Sequence, residues 1–229
     1  WGGLLVLAAT GNLGWVVSGL IFAVVAQMSL SGILSPLRSQ LAGLWITDGG
    51  RNMDLLATTG LPDYSGLLIG VGIAMLALIL SRRNRIGASR LIFASGVGFA
   101  VALGWVLTYA LSLVAFDPVQ VESATFTGPS ANTLMFFLEH GSVLEFDIGL
   151  VPGVFIGALV AAALGDELKF QAFEDAPTMR KARTGAALMG FGGMLAGGCA
   201  IGAGVTGGSV FVGTAWLALF CMWIGAMAT

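Results

Sequence analysis

Charge is what this sequence has least of. Lysine and arginine number 10 and aspartate and glutamate 12 among 229 residues, so 10% of the chain is charged, against roughly 25% in an average soluble domain. That is too little to cover a water-exposed surface. The net charge of −2 also excludes the basic footprint expected of a nucleic-acid binder. Histidine occurs once and cysteine twice, as Cys199 and Cys221. Neither a disulfide framework nor a zinc site of the usual spacing can be built from them, and no cofactor is expected. No glycine-rich ATP-binding loop ending in Lys-Ser or Lys-Thr occurs, so primary active transport by this chain alone is not expected.

What fills the space is apolar. Hydrophobic residues make up 57%, and the mean hydropathy is +0.93. Glycine accounts for 35 residues, about twice its usual ~7% share, with no collagen period. These features describe an all-α integral membrane protein crossing the bilayer several times. The first residue is Trp1 rather than methionine, as in a chain whose start has been processed or truncated.

Trp1–Ala9 is apolar but shorter than the ~20 residues a spanning helix needs. Asn12 and its neighbouring glycines break it from Trp15–Leu34, a helix expected to loosen in its second half at Gln27, Ser29, Ser31 and Gly32. After Leu41–Ile46, the polar stretch Thr47–Tyr64 reads as a loop. Ser65–Leu80, Leu91–Ala115 and Ile148–Leu164 read as spans; the second, as a helix, is about 37 Å long. Arg82, Arg83, Arg85 and Arg90 follow the first of these spans. Phe116–Asp147 holds five acids and no Lys or Arg, and Asp166–Arg183 holds Lys169, Arg180, Lys181 and Arg183. The bias of Lys and Arg towards the cytoplasmic side places 82–90 and 166–183 inside and 116–147 outside. One topology satisfies all three loops.

The external stretch has further structure. Thr127-Gly128-Pro129-Ser130 reads as a turn, with Ser130 as N-cap of a re-entrant half-helix over 131–138. Thr127, Ser130 and Thr133 could cap that half-helix or contact an oxyanion. His140 lies at its polar end.

The densest pattern is Gly185–Gly213. Gly193-x-x-x-Gly197, Gly198-x-x-x-Gly202 and Gly204-x-x-x-Gly208 follow one another, the spacing that lets helix backbones approach closely in lipid. Between Gly197 and Gly207, eleven residues hold five glycines, each costing roughly 1 kcal/mol against alanine in a helix. This predicts a helix that stops near Gly197-Gly198, a turn presenting Cys199, and a second helix beyond. Broken helices of this kind mark substrate sites in transporters. Phe211–Ala228 reads as a closing helix in which Cys221 is a packing residue. Aligning Gly19 with Gly190 sets Met28 opposite Cys199, an internal repeat that would divide a single transmembrane domain, 1–229, into halves 1–115 and 116–229.

The run Leu188-Met189-Gly190-Phe191-Gly192-Gly193-Met194-Leu195-Ala196-Gly197-Gly198-Cys199-Ala200-Ile201-Gly202-Ala203-Gly204 resembles the glycine-cysteine signature of the YeeE/YedE family of membrane sulfur-compound transporters. The likeness continues from Phe126 to the end and is looser over the first 90 residues. It implies a polytopic helical bundle with broken half-helices that takes up a small inorganic sulfur anion, thiosulfate foremost. The implied substrate contacts are Cys199, Gly197, Gly198, Ala200, Ile201 and Gly202, with Thr127, Ser130 and Thr133. Its implied partners are the lipid bilayer and, on the cytoplasmic side, a sulfur-carrier protein. Where the family's first helix commonly runs into an Arg-Phe-Cys element, this chain reads Met28-Ser29-Leu30-Ser31-Gly32. That thiol is lost here or lies in a stretch outside this sequence, which sets a multi-thiol relay against two alternatives. One is a non-transporting membrane subunit. The other is a membrane sulfurtransferase with a Cys199 persulfide, which would need a nearby base or cation to generate the thiolate.

The topology predicts the outcome of impermeant thiol labelling in intact cells. Glu122→Cys should react from outside and Ser89→Cys should be protected; the opposite pattern would reverse the orientation.

Overall fold

Backbone N–H and C=O groups in hydrocarbon must pair within their own segment, so long uncharged runs become helices. A computed structural model of the chain describes residues 13–44, 60, 64–115, 121–139, 145–166, 168 and 176–227. Its elements are α1 (Leu13–Leu30), α2 (Ser35–Gly43), α3 (Ser65–Arg83), α4 (Ala88–Val114), α5 (Thr127–Leu138), α6 (Phe146–Leu164), α7 (Ala176–Leu195), a π-helix (Gly202–Gly207) and α8 (Gly213–Met227). Among the described residues, α1, α3, α4 and α6 are long and apolar enough to cross a membrane. The Trp1–Ala9 segment, the break at Asn12, His140 and most of the 47–64 loop lie outside the described residues.

Several boundaries differ from the sequence reading. α1 stays regular through Gln27 and Ser29 to Leu30, and gives way at Ser31 and Gly32 as expected, in a short turn that leads to α2. Pro36 sits in the first turn of α2, where a missing N–H leaves no bond unmade. Thr127–Ser130 is not a separate turn but the first turn of α5, whose N-cap is Phe126 with no side-chain cap bond. Pro129 is tolerated there for the same reason as Pro36. Ser130 is therefore not a cap: its Oγ donates to the Phe126 carbonyl at 2.5 Å. Residues 176–183, read as part of a hydrophilic loop, open α7, which continues for 20 residues to Leu195. The closing helix starts at Gly213, because Phe211 takes a left-handed φ of 55°.

The chain forms two compact units, each drawing on separate stretches of sequence. In the first, α7 packs along α1, and α5 packs on α1, α6 and α7. α1 buries Gly14, Ser18, Phe22, Ala26 and Ser29, a single face at helical spacing. The contact with α7 is backbone-close. A Cβ built on Gly190 would lie 2.8 Å from the Phe22 carbonyl oxygen and 3.2 Å from Val25 Cβ. Asn132 Nδ2 on α5 donates to Asp147 Oδ2 on α6 at 3.0 Å.

The second unit contains α3, α4, the π-helix and α8. Segment 121–124 lies along α4. Ser123 Oγ donates to Val101 O at 2.6 Å, and Thr108 Oγ1 accepts the Glu122 N–H at 3.1 Å. Gly104 makes room for this, since a Cβ there would meet Ser123 Oγ at 2.9 Å. Thr206 in the π-helix donates to Ala124 O at 2.6 Å. Gly207 lets α8 approach, with its Cβ position 2.7 Å from Ala215 Cβ. α3 is apolar all round yet buries only Ser65 and Ser81, the pattern of a helix whose solvent is lipid.

Gly190→Ala should lower stability by about 1–3 kcal/mol, the usual range for overpacking. Gly192→Ala, whose Cβ would meet nothing within 4 Å, should be neutral or mildly stabilising. Thermal unfolding of the detergent-purified protein, followed by tryptophan fluorescence, measures both. Equal midpoints would show that the α1–α7 approach does not need a bare backbone.

Candidate functional site around Cys199

Gly197 ends α7 by adopting a φ of +76°. The Gly198 N–H then bonds to Gly193 O at 2.8 Å and the Gly197 N–H to Met194 O at 3.4 Å. These are the two bonds of a Schellman stop, which satisfies carbonyls the last turn would otherwise leave unpaired. Cys199 is the next residue. It lies outside any helix and is buried, with 5% exposure, and helix resumes at Ala200. The break, the turn and the restart fall where the glycines predicted. The conversion of the second helix to π geometry over Gly202–Gly207 did not show in the sequence. π-segments are rare and occur frequently at functional sites.

Thr127 approaches this stop from α5. Its side chain packs on Gly193, where an added Cβ would meet Thr127 Oγ1 at 3.0 Å and Cγ2 at 3.1 Å. Thr127 is 1% exposed, and its hydroxyl has no hydrogen-bond partner. Thr133 on α5 and Ser29 on α1 are likewise buried with unpartnered hydroxyls. An unpaired buried polar group costs roughly 1–3 kcal/mol. Ser65 at the start of α3 is buried and unpartnered as well, whereas two other buried residues of the first unit avoid this cost by bonding to their own helix. Ser18 donates to Gly14 O at 3.1 Å and Ser130 to Phe126 O.

Gly197, Gly198, Cys199, Thr127, Ser130 and Thr133 all belong to the first unit; Ala200, Ile201 and Gly202 belong to the second. Ala200 is exposed, and Ile201 and Gly202 are half-buried where the π-helix begins. Neither cysteine is in a disulfide, and Cys221 is exposed on α8. Among the described residues, no group of three or more His, Cys, Asp or Glu could hold a metal ion. Sequence reading passed over Gly193 as a contact for Thr127, the buried Ser29 hydroxyl and the Asn132–Asp147 bond. The signal for Gly193 was its place one turn beyond Gly190, a pair of small residues on one helix face.

Spanning-length apolar helices, and a glycine-stopped helix with a buried thiol just past its end, define a multi-pass helical membrane protein with an interrupted helix. The chain belongs to the sulphur transport family, which it matches over residues 1–228. It is also similar to the thiosulfate transporter TsuA of Escherichia coli (strain K12). The two are 31% identical over 130 residues, covering 56% of this chain and 35% of the relative. The chain thus spans about a third of that relative's length.

The left-handed stop is testable by itself. Gly197→Ala should cost roughly 1–2 kcal/mol, the penalty for a Cβ in that region, and Gly197→Asn should cost less. Gly185→Ala, in open space within α7, is the control. Unfolding midpoints that fail to separate Gly197→Ala from Gly185→Ala would mean the stop tolerates a side chain.

Proposed function

We propose that this chain carries a small inorganic sulfur anion, thiosulfate foremost, across the membrane without enzymatic turnover, and that the Cys199 thiol meets the anion's terminal sulfur. The observation that carries this reading is the burial of Cys199 immediately after the Schellman stop of α7, in a chain of the sulphur transport family. Similarity to a thiosulfate transporter supports the choice of anion.

The chemistry suits passage better than capture. A thiol is a weak, polarizable donor, matched to soft sulfur and slow to hold it. From Thr184 to Thr229 the sequence has no Lys or Arg, so no full positive charge from this stretch would trap a dianion. Backbone N–H groups at helix starts offer partial charge instead. Thr127 and Thr133, whose hydroxyls have no partner within the protein, are the side chains suited to donate to the anion's oxygens. Ser130, its proton directed to Phe126 O, could offer only a lone pair. Gly197 and Gly198 would line the path with backbone rather than side chain. A cytoplasmic sulfur-carrier protein is the acceptor this reading calls for.

Cys199→Ser preserves size and hydrogen bonding but replaces soft sulfur with hard oxygen. In cells that depend on this protein for thiosulfate, it should abolish or sharply reduce uptake of radiolabelled thiosulfate while membrane levels of the protein stay normal. Cys221→Ser should transport like the parent. Normal uptake by Cys199→Ser would reduce the thiol to a packing residue.

A further inference from the structure

We infer that the first turn of α5, with the Thr127 hydroxyl, is the subsite for the oxygen-bearing end of the transported anion, and that Gly193 is the positioning residue that holds Thr127 there. The inference rests on the reading of this chain as a sulfur-anion carrier and narrows the substrate class to anions having both an exposed sulfur and S–O oxygens. Oxygen-free sulfide would forgo the subsite.

Three observations converge on this turn. Thr127 occupies the first helical position, one residue too late to cap, and its fully buried hydroxyl has no partner. Valine has nearly the same shape and would avoid the cost of an unpaired hydroxyl, so threonine is the better residue only if something accepts its proton. The first turn is also rich in N–H groups that helix geometry leaves uncommitted. Pro129 has none to give, and the Ser130 N–H bonds to Phe126 O at 3.0 Å, which leaves Thr127 and Gly128 as the donors. Finally, the turn is open beside Thr127 on one side, since a Cβ built on Gly128 would meet nothing within 4 Å. An anion is favoured at such a helix start by both the N–H groups and the helix dipole. No Lys or Arg lies between Phe116 and Asp147 to overbind it.

Gly193 links this subsite to the thiol. Its missing side chain admits Thr127, while its carbonyl accepts the Gly198 N–H that closes the turn before Cys199. The residue that seats the oxygen-end donor therefore also anchors the turn carrying the sulfur-end donor.

The test is isothermal titration of the purified full-length protein with sodium thiosulfate, alongside displacement of labelled thiosulfate by hydrosulfide. Hydrogen bonds to charged groups are among the stronger ones, so Thr127→Val should raise the thiosulfate Kd roughly 10-fold or more, and Thr127→Ser should stay within about 3-fold of the parent. Hydrosulfide should compete equally with parent and Thr127→Val when each is compared at its own thiosulfate Kd. Gly193→Ala should also weaken thiosulfate binding. Adding Thr127→Ser should recover part of the loss, because serine lacks the Cγ2 methyl that the new Cβ would meet at 3.1 Å. Unchanged thiosulfate binding in Thr127→Val overturns the inference, as does an equal loss for hydrosulfide. If Thr127→Val does not fold, absence of recovery in the Gly193→Ala/Thr127→Ser pair overturns it instead. Loss of binding in Cys199→Ser with full binding in Thr127→Val removes only this subsite. A parent protein that binds neither anion removes the sulfur-anion reading with it.

Discussion

α7 lies against the backbone of α1, with Gly190 opposite the Phe22 carbonyl oxygen and too close for any side chain between them. In lipid there is no hydrophobic gain from bringing two apolar helices together, so close packing has to supply the attraction. The rest of the first unit is arranged around that approach. One turn further along α7, Gly193 is bare for a different neighbour, Thr127 of α5. Its carbonyl then receives the Gly198 N–H. Helix packing, hydroxyl placement and helix termination thus fall within two turns of one helix, and Cys199 emerges directly from them.

Three helix ends among the described residues share one solution. The two bonds that stop α7 occur again after α3, where Ile86 N–H reaches Ser81 O at 3.0 Å and Arg85 N–H reaches Arg82 O at 3.2 Å. They occur a third time before α8, where the Val212 N–H reaches Gly207 O and the Phe211 N–H reaches Gly208 O, both at 3.2 Å. Only the first of these stops places glycine at the left-handed position; the others place Arg85 and Phe211 there, with φ of 52° and 55°. A left-handed non-glycine residue costs roughly 1–2 kcal/mol. That the chain accepts this cost twice shows how strongly unpaired terminal carbonyls are avoided at helix ends.

Against that background the buried hydroxyls of this chain are treated in two ways. In the second unit, Thr108, Ser123 and Thr206 each reach a carbonyl across to or from the 121–124 segment, and the hydroxyls act as internal ties. In the first unit, Ser29, Thr127 and Thr133 are buried without a partner, as is Ser65 in the second. Stability alone would replace them with apolar side chains of the same shape. Of the three in the first unit, Thr127 packs on Gly193, whose carbonyl closes the turn before Cys199.

Much of this was legible along the chain. The scarcity of charge, the long apolar runs and the arginine cluster specify a multi-pass membrane protein, because each is a local property that hydrocarbon tests residue by residue. The break at Gly197-Gly198 and the exclusion of Cys199 from helix were equally readable, since glycine density weakens a helix whatever surrounds it. The family likeness was carried by the same run of residues. Ser130 was misread as a cap because serine suits both a cap and a first-turn back-bond, and only the neighbouring chain path chooses. Phe211 was misread as helical because nothing intrinsic to phenylalanine favours a left-handed φ; the carbonyls behind it impose one. The sequence by itself therefore determined the solvent of this protein, its spans and the place where its marked helix stops. Only the tertiary structure decided that Gly190 and Gly193 face α1 and Thr127, and that the Thr127 hydroxyl is buried without a partner. Those are relations between segments distant in the chain, set by packing in space rather than by the preferences of any one residue.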